Sequence, residues 1–140
     1  MPNHTYAIKT AVADTKATIF VFSKQKTMYG GKLIAEGDTI FLFASENEGG
    51  HGLFARAVVT AAKPVPLKPG VARQTPCVSI TVKRTQLAKR GLGRAELKPF
   101  STWNDGRPET ELNFKFYRQA TDKIVGITDA AAAFLLGFFK

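Results

Sequence analysis

The chain has 140 residues, of which 44% are hydrophobic, enough to pack a single domain over residues 1–140 without disulfides or a structural metal. It contains no run of about 18 apolar residues that could form a membrane-spanning helix. Cys77 is the single cysteine, which excludes an internal disulfide and fits a reducing compartment. We therefore expect a soluble, cytoplasmic protein with no membrane partner.

The formal net charge of +9 is concentrated in one part of the chain. Between Lys63 and Lys98, nine basic residues accompany the single acid Glu96, a net charge of +8, whereas the remainder holds eleven basic and ten acidic residues. A nearly neutral body with one basic segment is typical of a protein that binds a polyanion. The alternative is a solvated basic surface without a partner.

The first strands are predicted from alternating and β-branched residues. Thr5–Lys9 predicts a first strand, and Thr18–Ser23 is either a strand or a short buried helix. Lys24–Glu36 predicts a loop or one helical turn, because it contains a Gly-Gly pair.

The stretch that follows predicts a hairpin at the centre of a small barrel. Thr39–Ser45 and Leu53–Val59 have the pattern of two strands, and the glycine-rich segment Glu46–Gly52 between them predicts a turn. One face of the first strand carries Ile40, Leu42 and Ala44, and the other carries Phe41, Phe43 and Ser45.

The second half alternates between loops and strands until the last residues. Lys63–Pro76 contains four prolines and predicts a connecting loop. Cys77–Arg84 alternates strictly and predicts a half-exposed strand, as does the run from Leu112 to Tyr117, which ends near Arg118. Ile124–Ile127 predicts a last short strand.

The C-terminus has a different pattern. Thr128 or Asp129 is a suitable N-cap for an apolar helix that begins at Ala130 and should plug or flank the barrel.

Signals for catalysis are weak. His4 and His51 lie far apart in sequence and Cys77 stands alone, so no metal-ligand spacing is present. The loop Asn47–Gly52 lacks the Lys-Ser/Thr that follows a phosphate-binding loop. A hydrolase or transferase that uses Asp105 or His51 is the least favoured reading. We expect a binding module rather than an enzyme, with no catalytic residue, metal or cofactor.

Aromatic and polar side chains offer a better site. Flat rings can stack on a nucleobase while neighbouring polar groups contact its edge. The candidate aromatic residues are Tyr6, Phe41, Phe43, Trp103 and Tyr117, and the candidate polar residues are Thr10, Ser45, Asn47 and Arg118. For Phe41 and Phe43 a place in the core is favoured over binding, and for Trp103 core and binding are equally favoured.

The order of these stretches resembles the PUA-like superfamily, and within it the EVE domain and its ASCH relatives. YAIKT is similar to the opening strand of the EVE domain, GDTIFLFAS to its Gly-Asp strand, and GLFARAVVTAAKPVP to the returning strand and proline loop. CVSITVKR resembles the strand that follows, and FYRQATDKIVGITDAAAAFL resembles the closing Arg-Gln segment, strand and helix. Thr10 stands where the family has Ser, and Ala44 where it often has His.

The resemblance implies an α+β fold: a PUA-like mixed β-barrel with short flanking helices and a C-terminal helix. It also implies binding of RNA or modified DNA, with a modified or extruded base in a pocket beside the barrel. Lys9, Thr10, Phe43, Ser45 and Arg118 occupy motif positions. We add Tyr6, Trp103 and Tyr117 to the pocket, and we assign the phosphates to Lys83, Arg84, Lys89, Arg90 and Arg94. The alternative function is a small-molecule or partner-protein binding module with an incidental basic surface.

Overall fold

Six strands close into a barrel. The structure, a computed structural model, describes residues 5–46, 49–72, 74–119 and 123–140, without the side chains of residues 118 and 119. The strands are β1 (Thr5–Thr10), β2 (Ile19–Met28), β3 (Thr39–Ala44), β4 (Gly52–Pro64), β5 (Cys77–Leu87) and β6 (Lys123–Gly126). They are ordered β1-β3-β4-β5-β2-β6, so that β6 returns to β1. β1 is parallel to β3 and β2 is parallel to β6, and the other pairs are antiparallel. The expected mixed β-barrel is confirmed.

Strand alternation divides the apolar residues between two cores. Inward-facing residues such as Ile40 and Leu42 fill the barrel, together with Val78, Ile80 and Val82 of β5. The outward-facing Phe41 and Phe43 pack under the helices with Leu112, Leu135 and Phe139. β3 is therefore buried on both faces, and it forms the predicted hairpin with the longer β4.

Thr18–Ser23, for which the sequence allowed a strand or a short helix, forms a strand from Ile19 onward as the first part of β2. Its aromatic residues Phe20 and Phe22 point inward, while Ile19 and Val21 are exposed on the outer face. The strand continues past a register shift between Phe22 and Gln25 to Met28. The prediction of a loop over Lys24–Glu36 is thus wrong in its first part, and a 3-10 turn (Gly31–Leu33) follows the strand.

The prediction of a strand from Leu112 to Tyr117 is wrong. An α-helix, α2 (Pro108–Asn113), runs directly into a π-helical turn (Phe114–Gln119). Leu112 and Phe116 are both fully buried and lie four residues apart, on one side of a helix, whereas Phe114 is only half-buried. Pro108 in the first turn is the signal that begins this helix.

Two further helices lie outside the barrel. The short α1 (Arg94–Leu97) follows β5, and α3 (Asp129–Leu136) follows β6. The hydroxyl of Thr128 accepts a hydrogen bond from the N–H of Ala131, so the predicted N-cap is confirmed. A 3-10 turn (Gly137–Phe139) then closes the chain against Phe41, with ring centroids 5.8 Å apart for Phe41 and Phe139. None of the helices in the described residues is long and apolar enough to cross a membrane.

The helical geometry can be tested with two matched substitutions. Phe116 is 0% exposed, so we expect Phe116→Ala to cost about 3–5 kcal/mol in the free energy of unfolding. Phe114→Ala removes the same group from a half-buried position and should cost clearly less. Urea unfolding of both variants checks this. Equal losses would instead support a strand, in which both rings share one face.

Candidate functional site

The parallel pairing of β1 with β3 brings the ends of both strands to one edge of the barrel. Thr10 lies opposite Ala44, and the N–H of Ser45 donates to the carbonyl oxygen of Thr10 at 2.9 Å. Lys9 and Ser45 are buried there, with 1% and 2% of their surface exposed. The chain leaves this edge at Glu46 and returns at the start of β4.

The carboxylate of Glu46 connects three segments at this edge. Its Oε1 and Oε2 accept from the hydroxyl of Tyr117 at 3.1 and 2.9 Å, and Oε2 also accepts from the backbone N–H of Arg94 at 2.7 Å. Tyr117 belongs to the π-helical turn and Arg94 begins α1. One side chain thus joins the end of β3 to both helical segments.

These contacts determine the protonation of the pair. Burial alone would raise the pKa of Glu46, but the N–H of Arg94, the hydroxyl of Tyr117 and the charge of Lys9 together lower it. The pKa of Tyr117 is raised by burial and by its hydrogen bond to Glu46. At neutral pH the site therefore holds a carboxylate beside a neutral phenol.

Two cations approach the ring of Tyr117. The Nζ atom of Lys9 lies 4.2 Å from the ring centroid, and the guanidinium carbon of Arg94 lies 5.5 Å from it. Both distances are within the range of cation–π attraction, which is stronger for a desolvated cation such as the buried Lys9.

The opposite wall of the site is formed by the segment that follows β5. The N–H of Leu53 donates to the carbonyl oxygen of Leu92 at 2.8 Å, and the N–H of Gly93 donates to Oε1 of Glu96 at 2.7 Å. Gly52 has a φ of +83°, and a Cβ atom placed on it would lie 2.2 Å from the oxygen of Leu92. Only glycine lets the two segments approach this closely.

A pocket of about 630 Å³ opens between these walls. It lies among Glu46 and His51 of the β3–β4 connection and residues 91–98 on the other side, with Arg94 and Lys98 both exposed. Its volume is in the range of small-molecule sites, roughly 300–1,000 Å³. The lining residues are Glu46, His51, Gly91, Gly93, Arg94, Ala95, Glu96 and Lys98.

Four of the residues predicted to bind a ligand meet at this edge. Lys9, Thr10, Ser45 and Tyr117 are linked to one another or to Glu46 by the contacts above. Phe43 is 0% exposed and packs on Phe116 at a centroid distance of 4.8 Å, so its ring has no exposed face. None of these five residues lines the 630 Å³ pocket, whose wall begins at Glu46.

The other predicted ligand residues lie elsewhere. Tyr6 packs in the barrel interior and lines a different cavity of about 510 Å³. It is three residues from Lys9, and residues an odd number apart on a strand point to opposite faces. Trp103 is 41% exposed, packs edge-on against Phe114 and does not line the 630 Å³ pocket. The side chain of Arg118 lies outside the described residues.

Of the five residues assigned to phosphates, three line cavities and two belong to the barrel strand β5. Arg94 lines the pocket, and Lys89 and Arg90 line a neighbouring cavity. Lys83 is exposed on the wall of β5. The guanidinium of Arg84 instead donates to the carbonyl oxygens of residues 16 and 17, at 2.8 and 3.3 Å, and so holds the β1–β2 connection.

Sequence reasoning did not select four polar residues of the pocket as ligands: Glu46, His51, Glu96 and Lys98. The position of Glu46, directly after Ser45 at the end of β3, was the available signal, but the parallel partner β1 could not be seen in sequence. Asp105, considered as an acid–base group, is exposed and accepts from the N–H of Arg107 and the hydroxyl of Thr110 at the start of α2. Among the described residues no cluster of His, Cys, Asp and Glu could hold a metal ion.

Solved structures share this architecture. The human THYN1 protein, in complex with DNA that contains 5-methylcytosine, superposes with a TM-score of 0.68 at 17% identity, over 99% of this chain and 98% of that one. The chain has the same fold. The DUF55 domain of human thymocyte nuclear protein 1 gives a TM-score of 0.66 at 17% identity, over 97% and 98% of the two chains. A protein from Pseudomonas putida gives 0.62 at 16%, over 97% and 99%. No family model and no curated protein matches the sequence.

The ionised state of Glu46 should make stability depend on pH. Its pKa is lowered from an ordinary value of 4.5, so its contribution is present above that value and is lost as the pH falls through the lowered pKa. We expect Glu46→Gln to lose about 1 kcal/mol of unfolding free energy at pH 7 and the difference from the parent to shrink in acid. Urea unfolding across this pH range measures it. The exposed Glu36→Gln variant is the control, and a loss of the same size at every pH would contradict the role of the charge.

The approach of Gly52 to Leu92 can be tested in the same way. Gly52→Ala combines a positive φ with a collision, so we expect a loss of about 2–4 kcal/mol in unfolding free energy. Gly106 has a φ of +74° with no atom within 4 Å of a Cβ placed on it, so Gly106→Ala should show backbone strain alone, about 1–2 kcal/mol. Equal losses in thermal or urea unfolding would show that the close approach is unimportant.

Proposed function

We propose that the protein binds nucleic acid and accepts one base in the 630 Å³ pocket. The observation that carries this proposal is the ionised carboxylate of Glu46 in a pocket whose rim carries the cations Arg94 and Lys98 beside the acid Glu96. Such a site combines an acceptor for the edge of a base with cations for phosphates.

The acceptor has capacity to spare. A carboxylate offers about four lone-pair sites, of which the hydrogen bonds from Tyr117 and Arg94 occupy only a part. The carboxylate can therefore accept a further hydrogen bond from an amino group in the pocket. Glutamate is a known partner for the N4 amino group of cytosine. This favours an amino-bearing base, cytosine or a modified cytosine.

The similarity to a DNA-bound protein supports the same ligand class. The human THYN1 structure holds DNA that contains 5-methylcytosine. Because the identity to it is 17%, the proposal for this chain rests on its own pocket, and the shared fold adds only that such a barrel can accommodate this ligand.

A binding role fits the pocket better than catalysis. A carboxylate whose pKa lies below its usual range is a poor general base at neutral pH, and it holds no proton to donate as a general acid. Tyr117, with its raised pKa, stays protonated and directed at Glu46. Glu46, held in place by Tyr117, thus fits the recognition of an amino group.

Binding can be measured with oligonucleotides that differ at one position, which carries 5-methylcytosine, cytosine, thymine or no base. The set is made in single-stranded DNA, double-stranded DNA and RNA. We expect the abasic and thymine probes to bind more weakly than cytosine or 5-methylcytosine. Glu46→Ala should remove about 1–3 kcal/mol of that discrimination. The assay is fluorescence anisotropy at low salt, with the stability of each variant checked in parallel.

The basic rim provides the control for non-specific affinity. Lys98→Ala should weaken all probes alike and reduce the slope of log affinity against log salt by about 1. Lys24→Ala, an exposed lysine on β2, should change neither quantity. Equal binding of abasic and cytosine probes by the parent protein would contradict the base pocket, and no binding of any probe would contradict the whole proposal.

A further inference from the structure

A second cavity, of about 270 Å³, adjoins the pocket and shares Gly91 with it. Its apolar floor comes from β4 and the end of β5, and its rim is basic. The lining residues are Thr15, Lys16, Leu53, Phe54, Leu87, Ala88, Lys89, Arg90 and Gly91. The two cavities follow one another along the segment from Leu87 to Lys98.

The cavity has the chemistry of a site that binds a nucleotide without recognising its base. Lys16, Lys89 and Arg90 supply positive charge, and no acidic residue is found among the described residues that line it. Leu87 is 40% exposed and offers an apolar surface beside these cations. Cations bind phosphate, and an apolar floor suits the face of a sugar or base.

The rim is held in place by the C-terminus. The N–H groups of Lys89 and Arg90 donate to the carbonyl oxygen of Phe138 at 2.8 and 3.3 Å. The guanidinium of Arg90 donates to the carbonyl oxygen of Gly137 at 2.7 Å and lies 4.7 Å from the ring centroid of Phe138. On the other side, Arg84 holds the carbonyl oxygen of Lys16 at 2.8 Å. Together these contacts fix the backbone that carries the cations.

Gly91 leaves a passage between the two cavities. It lacks a side chain, and no protein atom outside its chain neighbours lies within 4 Å of a Cβ placed on it. Its φ is not in the left-handed region, so folding does not require glycine there. The open space fits a ligand that runs from one cavity into the other.

We propose that this second cavity binds the nucleotide next to the one whose base occupies the 630 Å³ pocket, with Lys16 and Lys89 on the phosphate between them. The inference rests on the proposed function and adds to it the direction in which the nucleic acid crosses the protein, because the nucleic-acid strand must pass over Gly91. A phosphate on one side of the inserted nucleotide then contributes more to affinity than its counterpart on the other side.

The experiment replaces single phosphates with uncharged methylphosphonates in the 5-methylcytosine oligonucleotide, one position at a time on both sides of the modified base. We expect one position, adjacent to that base on one side, to weaken binding by about two- to fivefold. The Lys16→Ala, Lys89→Ala double variant should bind the oligonucleotide with all its phosphates intact more weakly than the parent protein does. Its affinity should not fall further when the methylphosphonate is placed at that position.

A block at the passage gives an independent readout. Gly91→Leu has space for its side chain, so the variant should fold as the parent does. Its affinity should no longer depend on the methylphosphonate, whereas an abasic probe should still bind more weakly than the parent probe. Ala72→Leu adds the same surface in an exposed part of the proline loop and should leave the effect intact.

The outcomes separate the two proposals. If the unmodified oligonucleotide does not bind at low salt, the proposed function itself fails. The other outcome is that the protein binds the intact oligonucleotide, and binds the abasic probe more weakly. If all methylphosphonate positions then have equal effects, or if the effect persists in the double variant, the base pocket stands and the neighbouring subsite is overturned.

Discussion

The hydrogen bonds of the Glu46 carboxylate are the interaction on which the candidate site depends. They join the end of β3 to Arg94 and Tyr117, which are 48 and 71 residues away in sequence. Without them, α1 and the π-helical turn would depend more on apolar packing against this edge of the barrel, which is non-directional. Hydrogen bonds to an ionised group are shorter and stronger than neutral ones. They therefore give the pocket a defined shape that a hydrophobic contact could not.

The basic segment is less available to a ligand than its net charge suggests. The guanidinium groups of Arg84 and Arg90 hold backbone carbonyl oxygens of other segments. Arg94 contributes its N–H to Glu46 and lies near the ring of Tyr117. Part of the +8 charge thus stabilises the walls of the two cavities, and the exposed lysines on their rims are the groups best placed for the proposed binding of phosphate.

Local patterns predicted those parts of the fold that depend on local physics. The alternation in β3 and β5 assigned Ile40 and Val78 to the barrel interior because the strand period is two. Thr128 was found as a cap because an N-cap depends only on the residues that follow it. The run from Leu112 to Phe116 was misread because apolar residues at every second position also include a pair four apart. Pro108 and the acids after it were the evidence for a helix.

The site was harder to predict because non-local pairing assembles it. Lys9, Thr10 and Ser45 could be placed by resemblance, but Glu46 becomes a neighbour of Lys9 only through the parallel pairing of β1 and β3. Tyr6 could have been separated from Lys9 by parity alone. At 17% identity to the human THYN1 protein, the barrel is retained because many combinations of apolar residues fill two cores. A pocket residue has no such freedom.

One titration connects folding with recognition in this arrangement. Protonation of Glu46 would turn an acceptor into a partial donor, and would weaken both its bonds to Arg94 and Tyr117 and the proposed contact with an amino group in the pocket. The lowered pKa keeps that event away from neutral pH. Burial, which opposes the charge, is outweighed only because three segments of the chain supply donors and a cation together. The same convergence that closes the pocket therefore maintains the charge that the pocket needs.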